Sequence, residues 1–144
     1  MTGMSKISAK YLGDLRTEGE LKNQTLSTDV VEKFGGLEEY PTPTDYFVYS
    51  LATCMLTMIG LKARALGIDV EGTTVTAEKV LDETGKIIGF NIAFQCPKSV
   101  EETQAEKLEK SATHCPIHQA LHSDIELEVE FQWENQSSSS SKQG

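Results

Sequence analysis

One stretch constrains this chain more than any other: PTDYFVYSLATCMLTMIGLKARAL, residues 43–66, with a single thiol, Cys54, at its middle. From Tyr46 to Leu61 the apolar side chains leave no wide polar face, so a helix here is expected to be buried on most sides. Such a helix is about 36 Å long, roughly the width of a small domain. Both of its ends are written in the sequence. Thr42 suits the N-cap, Pro43 the first helical position, and Asp45 falls where a capping box places its acid. Lys62 and Arg64 lie in the last turns, and Gly67 can take the left-handed closing conformation.

The rest of the chain supplies what must cover this helix. Residues 5–31 read as short strands, with Ile7, Ala9 and Tyr11 alternating before Gly13-Asp14 and a hairpin tip expected at Glu18-Gly19-Glu20. After the helix, strands are expected over 73–82 and 86–95, joined at Glu83-Thr84-Gly85. Ile88, Phe90, Ile92 and Phe94 share one face of the second. Val100, Ala105, Leu108 and Ala112 form the apolar stripe of a helix over 100–113, and Pro116 opens a short helix to His122. Ile125, Leu127, Val129 and Phe131 alternate with Glu126, Glu128, Glu130 and Gln132, the cleanest strand pattern present. The fold class is therefore α+β, with antiparallel sheet on a buried helix. A sheet this small would not cover the helix on all sides, which implies a homodimer with two such helices packed together. One domain is expected over 1–136, and the Ser-rich end, 137–144, is expected to be disordered.

Composition narrows the partners. A net charge of −9 disfavours nucleic acid and anionic membrane surfaces. The first ten residues lack the apolar run of a secretory signal, and three irregularly spaced cysteines give no disulfide framework. The expected compartment is the cytoplasm.

Two of the three thiols invite chemistry. Cys54 has Phe47, Ser50, Leu51, Thr57 and Met58 at helical spacing around it, an apolar pocket or simply a core. No neighbour in sequence offers a positive charge to stabilise a thiolate, so one would have to come from elsewhere, with Arg16 and Lys33 as candidates and Glu38 or Glu39 to orient it. Cys115 precedes Pro116 and so caps a short helix, where free N–H groups favour thiolate. Cys96 ends a strand and reads as structural. His114, His118 and His122 are spaced by four, but Pro116 breaks the helix between the first two, and no metal is expected.

The capped opening and the helix with its mid-helix cysteine, PTPTDYFVYSLATCMLTMIGLKARALGIDVEG, followed by HCPIHQALHSDIELEVEF, resemble the OsmC/Ohr family, the osmotically induced and organic hydroperoxide resistance proteins. The resemblance covers roughly residues 5–134. It implies an intertwined homodimer with two long central helices flanked by antiparallel sheets. It also implies reduction of organic hydroperoxides in defence against oxidative stress, with Cys54 as the peroxidatic and Cys115 as the resolving cysteine. No cofactor is implied beyond an external dithiol reductant, lipoyl-type in the Ohr branch, and the substrate would be a small apolar hydroperoxide. The hydroperoxide reductases pair their reactive cysteine with an arginine and a glutamate. Arg16 resembles the early arginine of the Ohr branch, Lys33 lies where the OsmC branch has its own, and Thr44 stands where the family glutamate follows the proline. That replacement keeps open an alternative, a non-catalytic dimeric ligand-binding or redox-responsive protein.

Overall fold

The computed structural model describes residues 6–135 and 139–143, and these fall into two compact units that meet in sequence at Phe47 and Val48.

The first unit is a three-stranded antiparallel meander of β1 (Ser8–Gly13), β2 (Arg16–Leu21) and β3 (Gln24–Thr28), followed by a 3-10 turn at Glu32–Phe34 and a loop. Its hairpins turn at Asp14-Leu15 and Lys22-Asn23, where all four residues have positive φ, the backbone that two-residue hairpin loops require. The tip expected at Glu18-Gly19-Glu20 is instead mid-strand. Gly19 pairs with Ala9, and a Cβ there would run into the Ser8 carbonyl. The glycine marks a close strand approach, not a turn.

The long helix α1, Pro43–Leu66, forms with the expected ends. Thr42 N donates to Asp45 Oδ2 at 2.9 Å and Asp45 N to Thr42 Oγ1 at 3.1 Å, a reciprocal capping box. At the other end Ile68 N reaches the Ala63 carbonyl and Gly67 N the Arg64 carbonyl, with Gly67 at φ 71°, a Schellman closure. By length and composition α1 is apolar enough to cross a membrane, yet Val48, Leu51, Ala52, Met55, Ile59 and Ala63 are packed in the protein. Burial on most sides is not what the protomer shows. Only this one face is fully buried, while Tyr49 and Leu61 are exposed at 68% and 50%. On the same outer surface Thr53 and Thr57 turn their hydroxyls back onto the Tyr49 and Thr53 carbonyls at 2.8 Å, leaving their methyls outward.

The second unit, which begins at Val48, holds the hydrophobic core. It adds β4 (Thr74–Leu81), β5 (Ile87–Cys96), α2 (Glu102–Ala112), α3 (Pro116–Gln119), β6 (Glu126–Trp133) and β7 (Ser139–Gln143), with the sheet ordered β4-β5-β6-β7. The turn between β4 and β5 is fixed by Asp82, whose Oδ1 accepts from Thr84 N, Thr84 Oγ1 and Lys86 N. Near it the register shifts between Val80 and Leu81. Ile88 has no partner in that register and is 41% exposed, so it leaves the face it was expected to share with Phe90, Ile92 and Phe94.

The sheet is mixed, not antiparallel throughout. β5 and β6 are parallel, because the chain between them crosses over through α2 and α3. The α2 stripe of Ala105, Leu108 and Ala112, with Val100 just before it, is buried as its spacing required, and so are Leu127, Val129, Phe131 and Trp133 of β6. The Ser-rich end is not disordered over 139–143, which pair antiparallel with β6. An extended polar segment can satisfy the free edge of a strand without burying apolar surface. Residues 137, 138 and 144 lie outside the described residues.

Gly60 within α1 and Gly67 just past its end separate local from assembled stability. At Gly60 an added Cβ meets nothing within 4 Å, and at Gly67 positive φ forbids it cheaply. Gly67→Ala is expected to cost about 1 kcal/mol, whereas Gly60→Ala in an isolated protomer gains up to about 1 kcal/mol. Chemical denaturation measures both. A loss at Gly60 would report a second chain packed against it.

Candidate functional site: a thiol pair and an arginine cluster

Cys54 sits in the fourth turn of α1, beside the fully buried Met55, and is itself half-buried. Cys115 is the N-cap of α3, with no exposure at all. Sixty-odd residues separate them in sequence, and the crossover closes that gap: the two side chains are near neighbours, and both thiols are free. Burial, and then the hydrogen bond and charge of Cys54, push the Cys115 thiol above its ordinary value. The backbone N–H groups of His118 and Ile117 pull the other way, with His118 N at 3.3 Å from Cys115 Sγ. The N-cap position that suggested a thiolate is outweighed by desolvation. The protonated thiol is therefore the favoured form of Cys115, beside the more accessible sulfur.

Of the other residues flagged around Cys54, Leu51 is a core side chain with no exposure, and Met58 lines a groove between α1 and α2. Thr57 is exposed, Ser50 is half-buried, and Phe47 falls in the first unit, 39% exposed. Cys96 is buried in the core at the end of β5. The histidines go separate ways. His114 Nδ1 donates to the Lys110 carbonyl at 3.2 Å, His118 Nδ1 to the Thr113 carbonyl at 3.0 Å, and His122 Nδ1 accepts from Asp124 N at 3.0 Å. Among the described residues no three His, Cys, Asp or Glu side chains gather into a group able to hold a metal.

The first unit brings two of the candidate charged residues together. Arg16 pairs with Glu39, lies 3.3 Å from Asp29 Oδ2, and stacks 5.2 Å from the centre of the Tyr40 ring. Asp29 carries no local signal that would single it out in the sequence. It is fully buried and takes Val30 N and Leu37 N on Oδ1 and Glu39 N on Oδ2, at 2.7, 3.3 and 2.9 Å. Burial alone would raise its pKa; the backbone donors and Arg16 outweigh it, and the carboxyl is held below its usual value. Lys33 is not part of this cluster. It reaches over the ring of Phe34, 5.6 Å from its centre. Thr44 Oγ1 faces Thr42 Oγ1 at 3.0 Å, so the position of the family acid is absorbed by the helix cap.

A sequence model of OsmC-like proteins matches residues 36–130, well over half of the chain. The chain belongs to the OsmC-like family. Among solved structures it is similar to a protein of Psychrobacter arcticus 273-4, provisionally described as an osmotic stress induced and detoxification response protein. The two are 33% identical, with 92% of this chain and 98% of that one covered, at a TM-score of 0.83. An OsmC-like protein of Mycoplasma pneumoniae shares the fold at 17% identity, covering 92% and 99% with a TM-score of 0.79. A protein of Vibrio cholerae O1, provisionally described as an organic hydroperoxide resistance protein and solved with captopril in one of its active sites, shares it at 20% identity, covering 94% and 96% with a TM-score of 0.65. No curated protein matches the chain significantly. The OsmC-like match includes both Cys54 and Cys115 but begins after Arg16 and Asp29, so of the arginine cluster only Glu39 and Tyr40 lie within it.

Proposed function

We propose that this OsmC-like protein is a cysteine-based peroxidase that reduces organic hydroperoxides. One observation carries the reading: a fully buried thiol whose protonated form is favoured lies beside a second and more accessible thiol, both of them free. The Cys54 thiolate attacks the distal oxygen of R–O–O–H, the O–O bond breaks, and the leaving alkoxide takes a proton to become the alcohol. Cys54 is left as a sulfenic acid. The Cys115 sulfur then displaces that hydroxyl, which leaves as water with the Cys115 proton, and a Cys54–Cys115 disulfide forms. An external dithiol, lipoyl-type or similar, returns two electrons and two protons by thiol exchange. The chemistry requires no metal or organic cofactor.

Within this reading the working protein is a cytoplasmic homodimer whose α1 helices bury each other's Tyr49 and Leu61. Treating reduced protein with one equivalent of cumene hydroperoxide and mapping peptides by mass spectrometry tests the sequence of steps. The expected product is a Cys54–Cys115 linkage. Overoxidised Cys54 with Cys115 still free would count against Cys115 as its partner. A second reading, a dimeric ligand-binding protein without turnover, draws on Thr44, which holds a cap where the hydroperoxide reductases hold a carboxylate. It requires peroxide consumption to stop below one equivalent per chain even with dithiol present.

A further inference from the structure

One residue grips the turn that carries Cys115 from both sides of the thiol. α2 ends at Ala112, and only Thr113, His114 and Cys115 separate it from α3. Carbonyls at the end of a helix need donors from beyond it. The Lys110 carbonyl accepts from Thr113 N at 3.2 Å and from the side chains of Thr113 and His114. The Thr113 carbonyl accepts from His118 Nδ1 at 3.0 Å, five residues on, and the backbone N–H of the same histidine donates to Cys115 Sγ at 3.3 Å. A carbonyl oxygen only accepts, so Nδ1 of His118 carries a hydrogen whether the ring is neutral or protonated. Ring and backbone of His118 together close a clasp around the buried thiol.

That clasp matters to the second chemical step, and its role rests on the peroxidase reading. The Cys115 sulfur attacks the sulfur of the Cys54 sulfenic acid, the S–O bond breaks, and the hydroxyl leaves as water with the Cys115 proton. As the S–H bond gives way, negative charge gathers on a sulfur that has no exposure to water. The N–H groups of His118 and Ile117 are directed at that sulfur. Donors fixed before the charge develops need no reorganisation when it does. Their direction is set by the backbone from Cys115 to His118, and the ring bond to Thr113 ties that backbone to the end of α2. We propose that His118 is a positioning residue for resolution: through Nδ1 it holds Cys115 in the geometry that condenses with oxidised Cys54. The role belongs to the second step and uses Nδ1, not Nε2.

Single-turnover reactions test it: reduced protein receives one equivalent of cumene hydroperoxide, dimedone is added at intervals, and Cys54 is followed by mass spectrometry. In His118→Ala, its fold checked by circular dichroism, the peroxide is expected to be consumed quickly. The Cys54–Cys115 linkage is expected to form more slowly by about fivefold or more, the net worth of one hydrogen bond, while the dimedone adduct of Cys54 accumulates. An asparagine amide nitrogen reaches about as far as Nδ1, and a glutamine amide nitrogen about as far as Nε2. His118→Asn is therefore expected to restore the wild-type rate of linkage and His118→Gln to leave it slow, a comparison that stands even where the alanine variant does not fold. Linkage at the wild-type rate in His118→Ala, or rescue by Gln and not by Asn, would remove the role of His118 and leave the peroxidase reading standing. A wild type that consumes peroxide without forming the linkage would overturn that reading and this role with it.

Discussion

Cys54→Ser is expected to lower turnover of cumene hydroperoxide with a dithiol reductant by about three orders of magnitude or more, because an unactivated hydroxyl does not displace alkoxide from a peroxide at neutral pH. Cys115→Ser is expected to behave differently. Its Cys54 is still present and accessible, so one equivalent of peroxide is consumed quickly and the sulfenic acid persists long enough to be trapped by dimedone. Steady-state peroxide loss for the first variant, and a single-turnover trace with trapping for the second, separate the two roles. Undiminished turnover in Cys54→Ser would remove the proposed mechanism. A wild-type-like steady state in Cys115→Ser would leave Cys54 as the nucleophile and pass the resolving step to the external thiol.

The second large effect is expected at Asp29. Asp29→Asn replaces an oxygen that accepts from backbone N–H groups and Arg16 with an NH₂ that must face donors, or forces the amide to leave one group unpaired. A fall in Tm on the order of 10 °C is expected, since several hydrogen bonds of one buried residue are disturbed together. The acid limb of stability changes as well. Because the folded carboxyl is held below its ordinary value, the native state binds fewer protons than the unfolded chain in that range, and stability rises with pH. The contribution of Asp29 is complete above the unfolded value of about 3.9 and is lost as pH falls through the lower folded value. Melting curves between about pH 2.5 and 7 are expected to show this slope in the wild type and a flatter one in Asp29→Asn.

What the sequence made legible was whatever is decided locally. The capping box of Thr42 and Asp45 and the closure at Gly67 depend on residues within one turn of each other, and both formed as read. The alternation of β6 and the α2 stripe are equally local signals of which face meets the core. The misreadings have a common cause. At Gly19 the glycine answers a neighbouring strand and not a turn. The parallel pairing of β5 with β6 depends on where a thirty-residue connection returns, roughly the length a βαβ crossover needs. Asp29 sits in DVVEKFGG with nothing to distinguish it from a solvated aspartate, because its donors come from a loop up to ten residues on. The thiols were found by their contexts, a mid-helix position and a Cys-Pro cap; their contact belongs to the crossover.

That contact has a mechanical side. A bond between Cys54 and Cys115 would close a loop of about sixty residues, which removes on the order of 4 kcal/mol of freedom from the unfolded chain. The loop contains the end of α1, both strands of the β4–β5 hairpin and all of α2. Oxidation would therefore staple a large part of the second unit at the moment the protein meets its oxidant. Reduction would then return a chain that opens more readily, so the same two sulfur atoms would tie the durability of the fold to the redox state of its surroundings.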